Sequence, residues 1–203
     1  MFGLAWFLSR ATRDDLLLRW RPGWWVVPLG AGYSVAVRLA LGIMMLIISG
    51  MLILIGTVTP EELREFSLKN QPDVETLVDV GAMRNNPAYY WLTITLVSFV
   101  LAGLREELWR AGFLAGLRVL FPRAFGSRRG EVIAVVLIAV VFGIAHIGMG
   151  PLAAVMAGVL GIFLGLIMVL HRSIWPAVLA HGFFDATTMA LLPKLTEILR
   201  QMQ

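Results

Sequence analysis

One short stretch decides what this chain can fold into. Gly103-Leu104-Arg105-Glu106-Glu107-Leu108-Trp109-Arg110 carries four ionised side chains, yet Tyr89 to Ala102 before it and Ala111 to Phe121 after it read as membrane. On insertion scales a charge at the centre of a spanning helix costs about 2.5–3.5 kcal/mol. Four would cost roughly 10 kcal/mol or more unless they face one another or a wet cavity. At helical spacing Glu106 and Arg110 are i,i+4 and Glu107 and Arg110 are i,i+3, so pairing is geometrically open to them. Pairing accounts for how the charges are tolerated. It does not account for why they are there.

The flanks read as membrane because the whole chain does. Its 203 residues are 59% hydrophobic and 15% charged, with a mean hydropathy of +0.81. A soluble domain is nearer half apolar and one-quarter charged. The expectation is an integral, multi-pass protein of the cell membrane: an all-α transmembrane helical bundle of about five spans plus an N-terminal interfacial helix. The net charge of +4 reads as arginine that sets topology, not as a nucleic-acid surface. There is no cysteine, which removes disulfide and thiolate chemistry. The N-terminus does not read as a cleavable signal, since its basic residues follow its short apolar run.

In chain order, residues 1–23 alternate apolar clusters (Phe2, Leu4, Trp6, Phe7, then Leu16 to Leu18) with Arg10, Arg13, Arg19 and Arg21. This predicts an interfacial amphipathic helix on the cytoplasmic face, with Trp20, Trp24 and Trp25 in an aromatic belt. A first span follows over Gly32 to Gly56, with Arg38 near its inner end and able to snorkel. In the polar stretch 57–87, Thr59-Pro60-Glu61-Glu62 is a helix start, and Pro72-Asp73 begins a second short element. Acids dominate that loop, whereas Arg118, Arg123, Arg128 and Arg129 crowd the next. The first loop is therefore expected outside and the second inside.

Pro87 to Phe121 as one helix would be about 51 Å long, against a hydrocarbon core of about 30 Å. A break at Gly103 or Gly112 is expected. Further spans are predicted over Glu131 to Ile147, Pro151 to Leu170 and Ser173 to about Leu192, with a turn at Gly148 and Gly150-Pro151. His171-Arg172 is an inner turn, and Lys194 to Gln203 reads as a polar tail. Gly161 and Gly165 mark a close helix interface. The chain divides into residues 1–90 (interfacial helix, first span, external acidic loop) and residues 91–203 (core and tail).

Three more ionisable groups fall inside spans: His146, His181 and Asp185. Alone, any one of them is most simply a satisfied core residue. Their depths argue otherwise. At the helical rise, Glu106 lies about 22 Å from Phe121, His146 about 22 Å from Glu131, and His181 and Asp185 roughly 12–20 Å from Ser173. Separate spans thus deliver polar groups to nearly one level, and His181 and Asp185 share a helix face. Such a set suits water activation with or without a metal, a desolvated carboxylate being a fitting base. The plain alternative is a polar clamp between helices.

Glu106-Glu107 with Arg110, then Phe142-x-x-x-His146, then His181-x-x-x-Asp185 resembles the three-motif pattern of the CAAX prenyl endopeptidase and bacteriocin-processing intramembrane proteases. The neighbours Gly112-Phe113-Leu114 and Ser173-Ile174-Trp175-Pro176-Ala177 are similar too, and the resemblance covers about 95 to 192. Two departures stand out. The family places its Arg four residues after the second Glu, whereas Arg110 comes three after Glu107 and Ala111 holds the family's position. The third motif ends in Asp185 where many relatives have Asn.

The resemblance implies an intramembrane endopeptidase, glutamic or metallo in type, cutting a membrane-anchored protein or peptide in the lipid bilayer. Glu106 and His146 would activate water, His181 and Asp185 would stabilise the oxyanion or hold the site, and Glu107, Arg110 and Phe142 would support it. Zinc stays open: His146, His181 and Glu106 are a valid catalytic set, but the family is also described as metal-independent. The rival readings are a catalytically silent membrane protein of the same fold acting in immunity or partner binding, and a small transporter or proton relay. Nothing in the sequence names the substrate or the oligomeric state.

Overall fold

The structure, a computed structural model, describes residues 12–201. The first half of the expected interfacial helix lies outside them. Residues 12–22 form turns and not a helix. The turns hold because Leu16 and Leu17 are buried and the backbone docks on the start of the last helix. Ile174 N–H donates to Leu17 O at 2.9 Å, Ser173 Oγ to Arg19 O at 2.7 Å and Trp175 Nε1 to Leu18 O at 3.0 Å.

The first span is α1 (Val26–Leu54). Pro60–Lys69 forms α2, whose Thr59 and Glu62 close the capping box that the sequence indicates. Backbone and hydroxyl hydrogen bonds from Thr59 hold the Glu62 carboxyl below its ordinary range. The loop continues through a short turn at Val74–Thr76 and α3 (Val80–Asn85). Then comes a rod without a break. It runs through α4 (Pro87–Leu92), a π-helical stretch Thr93–Leu104, and α5 (Arg105–Leu120). Neither expected glycine breakpoint is used. A Cβ on Gly103 would lie 2.8 Å from Val178 O and 3.5 Å from Gly182 N, so this glycine serves close packing. The length is absorbed by wide turns, in which Ser98 Oγ donates to Thr93 O five residues back. Such turns are rare and recur at functional sites.

A short α6 (Pro122–Phe125) leads to α7 (Arg128–Ala145), α8 (Pro151–His171) and α9 (Trp175–Gln201). The turn between α7 and α8 depends on Gly150, whose φ of +106° suits glycine. Gly161 and Gly165 of α8 face Ala139, Phe142 and Val135 of α7, the small-residue interface expected. α9 packs against α1, the π-helical stretch and α8. It does not end near Leu192, and Lys194 to Gln201 is helix, not tail. Met189 and Leu192 pack with Val78, Val80 and Met83, and Arg84 donates to Pro193 O at 2.9 Å and Thr196 Oγ1 at 2.6 Å. These contacts carry the helix past Pro193.

Among the described residues, three helical runs are long and apolar enough to cross a membrane: Gly23–Leu54, Pro87–Leu120 and Pro151–His171. α7 and α9 pack beside them. Arg38 does not snorkel. From well inside α1 it donates to Phe184 O at 2.8 Å and Thr187 Oγ1 at 2.6 Å on α9, with its guanidinium 4.3 Å from the Phe184 ring. Acceptors inside the bundle outcompete the interface.

The segments group by end. Residues 12–25, 118–130 and 171–174 meet at one end, where Glu131 binds Arg172 at 2.5 Å and Arg118 at 3.4 Å. The acidic loop and the α7–α8 turn meet at the other, where Asp73 N–H donates to Met149 O at 3.1 Å. Cysteine scanning is clean in a chain without cysteine. A thiol at Ser67 on α2 is expected to react with an impermeant reagent in intact cells, and one at Arg129 only after the membrane is opened. The reverse pattern would overturn the expected orientation.

Candidate active site

The charged stretch starts α5, directly after the wide turns. Glu107 and Arg110 form an ion pair at i,i+3 with side chains 0% and 1% exposed, so the shifted arginine keeps its carboxylate partner. Arg110 also lies 4.7 Å from the centre of the Phe142 ring. On α9, His181 meets the same carboxylate: its Nδ1 is 3.1 Å from Glu107 Oε1. An ionised carboxylate only accepts, which assigns the proton to Nδ1. Nε2 of His181 then faces two further carboxylates, Glu106 Oε2 at 3.9 Å and Asp185 Oδ2 at 3.7 Å. Both distances exceed a hydrogen bond and leave room for a reacting group to come between.

His146 caps the C-terminal end of α7. Its Nδ1 lies 2.8 Å from Phe142 O, so Nδ1–H donates to that carbonyl and Nε2 keeps a free lone pair. Phe142 is the common wall. Its ring centre is 4.5 Å from that of His146 and 6.5 Å from that of His181. Glu106 and His146 line one cavity of about 690 Å³ with Arg105, Trp109 and Phe142, and Thr76, Leu77 and Met149 close its sides.

The sequence motifs thus converge in space. Glu107, Arg110 and His181 touch, Glu106 and Asp185 flank the free nitrogen of His181, and Glu106 shares the cavity with His146. Among the described residues no three His, Cys, Asp or Glu side chains form a group able to hold a metal ion.

The family described as Type II CAAX prenyl endopeptidase Rce1-like matches residues 88–187. Over that segment the chain is similar to this family. The match spans close to half of the chain and takes in Glu106, Glu107, Arg110, Phe142, His146, His181 and Asp185. At the level of the family, the match implies a CAAX-type protease of the membrane. No curated protein and no solved structure matches the chain.

Some residues at the Rce1-like site were not anticipated from the sequence. Trp109 and Arg105 line the cavity, and the only hint was their place within the charged stretch. Thr76 and Leu77 reach it from the polar loop, and no sequence signal links that loop to the motifs. Arg38 lies outside the matched segment, yet it binds Phe184 O and Thr187 Oγ1 on either side of Asp185 and sits within coulombic reach of its carboxylate. An arginine this far into an apolar span was the signal available.

Proposed function

We propose that the protein is an intramembrane endopeptidase that hydrolyses a peptide bond of a membrane-associated protein or peptide through water activated by Glu106 and His146. The observation that carries this reading is that a carboxylate and an imidazole with a free Nε2 share one cavity wall. Glu106 takes a proton from water as the oxygen attacks the scissile carbonyl, and it returns that proton to the leaving amine. His146 Nε2 accepts a hydrogen bond from the same water and orients it. In its imidazolium form, His181 donates Nε2–H to the developing oxyanion while Glu107 holds its Nδ1–H. Asp185 cannot donate when ionised, so its part is to balance charge beside His181. Glu107 and Arg110 brace the helix that carries Glu106.

Purified protein should cleave internally quenched peptides with apolar residues around the scissile bond, among them one S-farnesylated peptide with a CAAX tail. Cleavage of none of them by folded protein would remove the reading. The silent-scaffold alternative drew on the displaced Arg110. That arginine pairs with Glu107, so no feature of the geometry favours the alternative.

Two expected results follow for the site. Dialysis against a strong chelator should leave the cleavage rate unchanged, with metal analysis far below one equivalent per chain. Activity lost to the chelator and restored by zinc alone would sink the glutamate mechanism. Arg38→Gln should slow turnover by up to about 10²-fold, the cost of displacing a catalytic constellation by around an ångström. Its KM should change little, and Arg38→Lys should fall between the two. A wild-type rate in Arg38→Gln, at equal amounts of monodisperse protein, would deny Arg38 a positioning role.

A further inference from the structure

We propose that Arg105 selects the substrate, its guanidinium binding a carboxylate that the peptide carries within a few residues of the scissile bond. The scissile bond rests on the endopeptidase reading above; the carboxylate subsite is tested apart from it, by binding.

Arg105 stands where an arginine is hard to justify on structural grounds. It follows the wide-turn stretch Thr93–Leu104 and lies within the run Pro87–Leu120, which is long and apolar enough to cross a membrane. A cation at such depth is costly unless it meets a partner or water. The other charges of its stretch have their tasks. Glu107 and Arg110 are buried as a pair, and Glu106 faces His181. Among the described residues the acidic partner of Arg105 is Glu106, at 3.5 Å, and the arginine side chain is 69% exposed. That distance is at the limit of a hydrogen bond, and an exposed pair of this length holds a long side chain only weakly.

The guanidinium belongs to the cavity wall. One turn further along α5, Trp109 shares its helix face and lines the same cavity, with its ring centre 6.5 Å from that of Phe142. Leu77 and Met149 extend the apolar surface. Among the described residues Arg105 is the only Lys or Arg in the lining, and Glu106 is the only acid. An apolar peptide segment gains its contacts from Trp109 and Phe142 and asks nothing of a guanidinium. A peptide carboxylate does. Beside Glu106 it meets a like charge, with Asp185 a second one 3.7 Å from His181 Nε2, and Arg105 is placed to turn that repulsion into attraction. The planar fork of a guanidinium fits a carboxylate through two parallel hydrogen bonds, a geometry that its long contact with Glu106 does not use.

Reach limits where that carboxylate sits. A base stands about 3 Å from the water it activates, the guanidinium is 3.5 Å from the base, and a charge-assisted hydrogen bond spans about 3 Å. The bound carboxylate is therefore a few residues of extended chain from the scissile bond at most. A chain terminus and an Asp or Glu side chain are the two sources of such a group.

The test uses the full chain in detergent and a set of quenched peptides with one apolar sequence. Some end in a free carboxylate one, two or three residues beyond the scissile bond. Their twins end in an amide, and further amides carry Asp on either side of the bond. The preferred carboxylate peptide should exceed its neutral twin about 10-fold in kcat/KM, on the scale of one charge-assisted hydrogen bond, with the difference in KM. Arg105→Gln should bring that ratio to about 1, and Arg105→Lys should keep part of it. Preference for the terminal acid assigns the subsite to a chain end, and preference for the Asp peptide assigns it to a side chain. A ratio near 1 in the wild type, or an unchanged ratio in Arg105→Gln, overturns the proposal; an arginine that served only to keep Glu106 ionised would slow all peptides alike. Binding of the same peptides to Glu106→Gln, read by fluorescence anisotropy, separates the two readings. Tighter binding of the carboxylate peptide, lost when Arg105→Gln is added, supports the subsite; if the wild type then cleaves nothing, the endopeptidase reading alone falls. Equal binding of acid and amide removes the subsite, and cleavage of both at one rate leaves the endopeptidase reading standing.

Discussion

Glu106→Gln is expected to lower cleavage of the quenched peptides by about 10²–10⁴-fold, the contribution typical of a general base, while leaving folding and membrane insertion intact. The substitution keeps the shape of the side chain and its hydrogen-bonding capacity and removes the group that takes the proton. Stability should hold because Glu106 is not committed to structural bonds. Its carboxylate stands 3.9 Å from His181 Nε2, and Arg105 approaches it only at 3.5 Å with a side chain 69% exposed. An exposed pair of that kind contributes little, about 0–1 kcal/mol. The loss should therefore appear in kcat, with thermal stability near that of the wild type. Equal turnover in wild type and Glu106→Gln, at matched amounts of folded protein, would sink the protease reading in favour of a silent scaffold.

That Glu106 can be singled out this way shows how much of the site was legible. Its members are polar residues at membrane depth, and such residues are costly wherever they lack a purpose. Four separate signals, Glu106-Glu107, Arg110, His146 and His181-x-x-x-Asp185, therefore stood out against an apolar background. The helix start at Thr59 and the contact face at Gly161 and Gly165 were legible for a related reason: each depends on chemistry within one turn or one repeat. The two ends of the bundle were legible in the charges of the loops.

What escaped depends on partners far away in sequence. Gly103 reads as a breakpoint when only its own helix is considered, but its lack of a side chain serves the approach of Val178 and Gly182. Leu16 to Leu18 read as part of an amphipathic helix, and the fate of the segment was set by the backbone acceptors that Leu17, Leu18 and Arg19 offer to Ile174, Trp175 and Ser173. Arg38 reads as a snorkelling side chain until α9 is placed beside it. α9 itself runs past Pro193 because α3 packs on its far half. In each case a tertiary contact outweighed a local preference.

The same logic of partners gives the largest expected effect on stability. Glu107→Gln should cost about 3–5 kcal/mol, the usual penalty for breaking a buried ion pair from one side, and protein yield should fall with activity. The glutamine still accepts hydrogen bonds from Arg110 and His181, so what is lost is the charge. Arg110, 1% exposed, is then a buried cation whose remaining compensation is the Phe142 ring at 4.7 Å, and such a contact contributes about 2 kcal/mol even when desolvated. Arg110→Gln should be milder, because the Glu107 carboxylate retains His181 at 3.1 Å. The double change Glu107→Gln with Arg110→Gln removes both charges and should recover much of the lost stability, as two touching residues are strongly non-additive. No substitution at Arg110 should restore turnover to Glu106→Gln, since that variant lacks a proton acceptor and not a counter-charge. Melting temperatures of the four proteins in one detergent check the prediction. A double variant as unstable as Glu107→Gln alone would show that the carboxylate supports the fold through something other than the charge of Arg110.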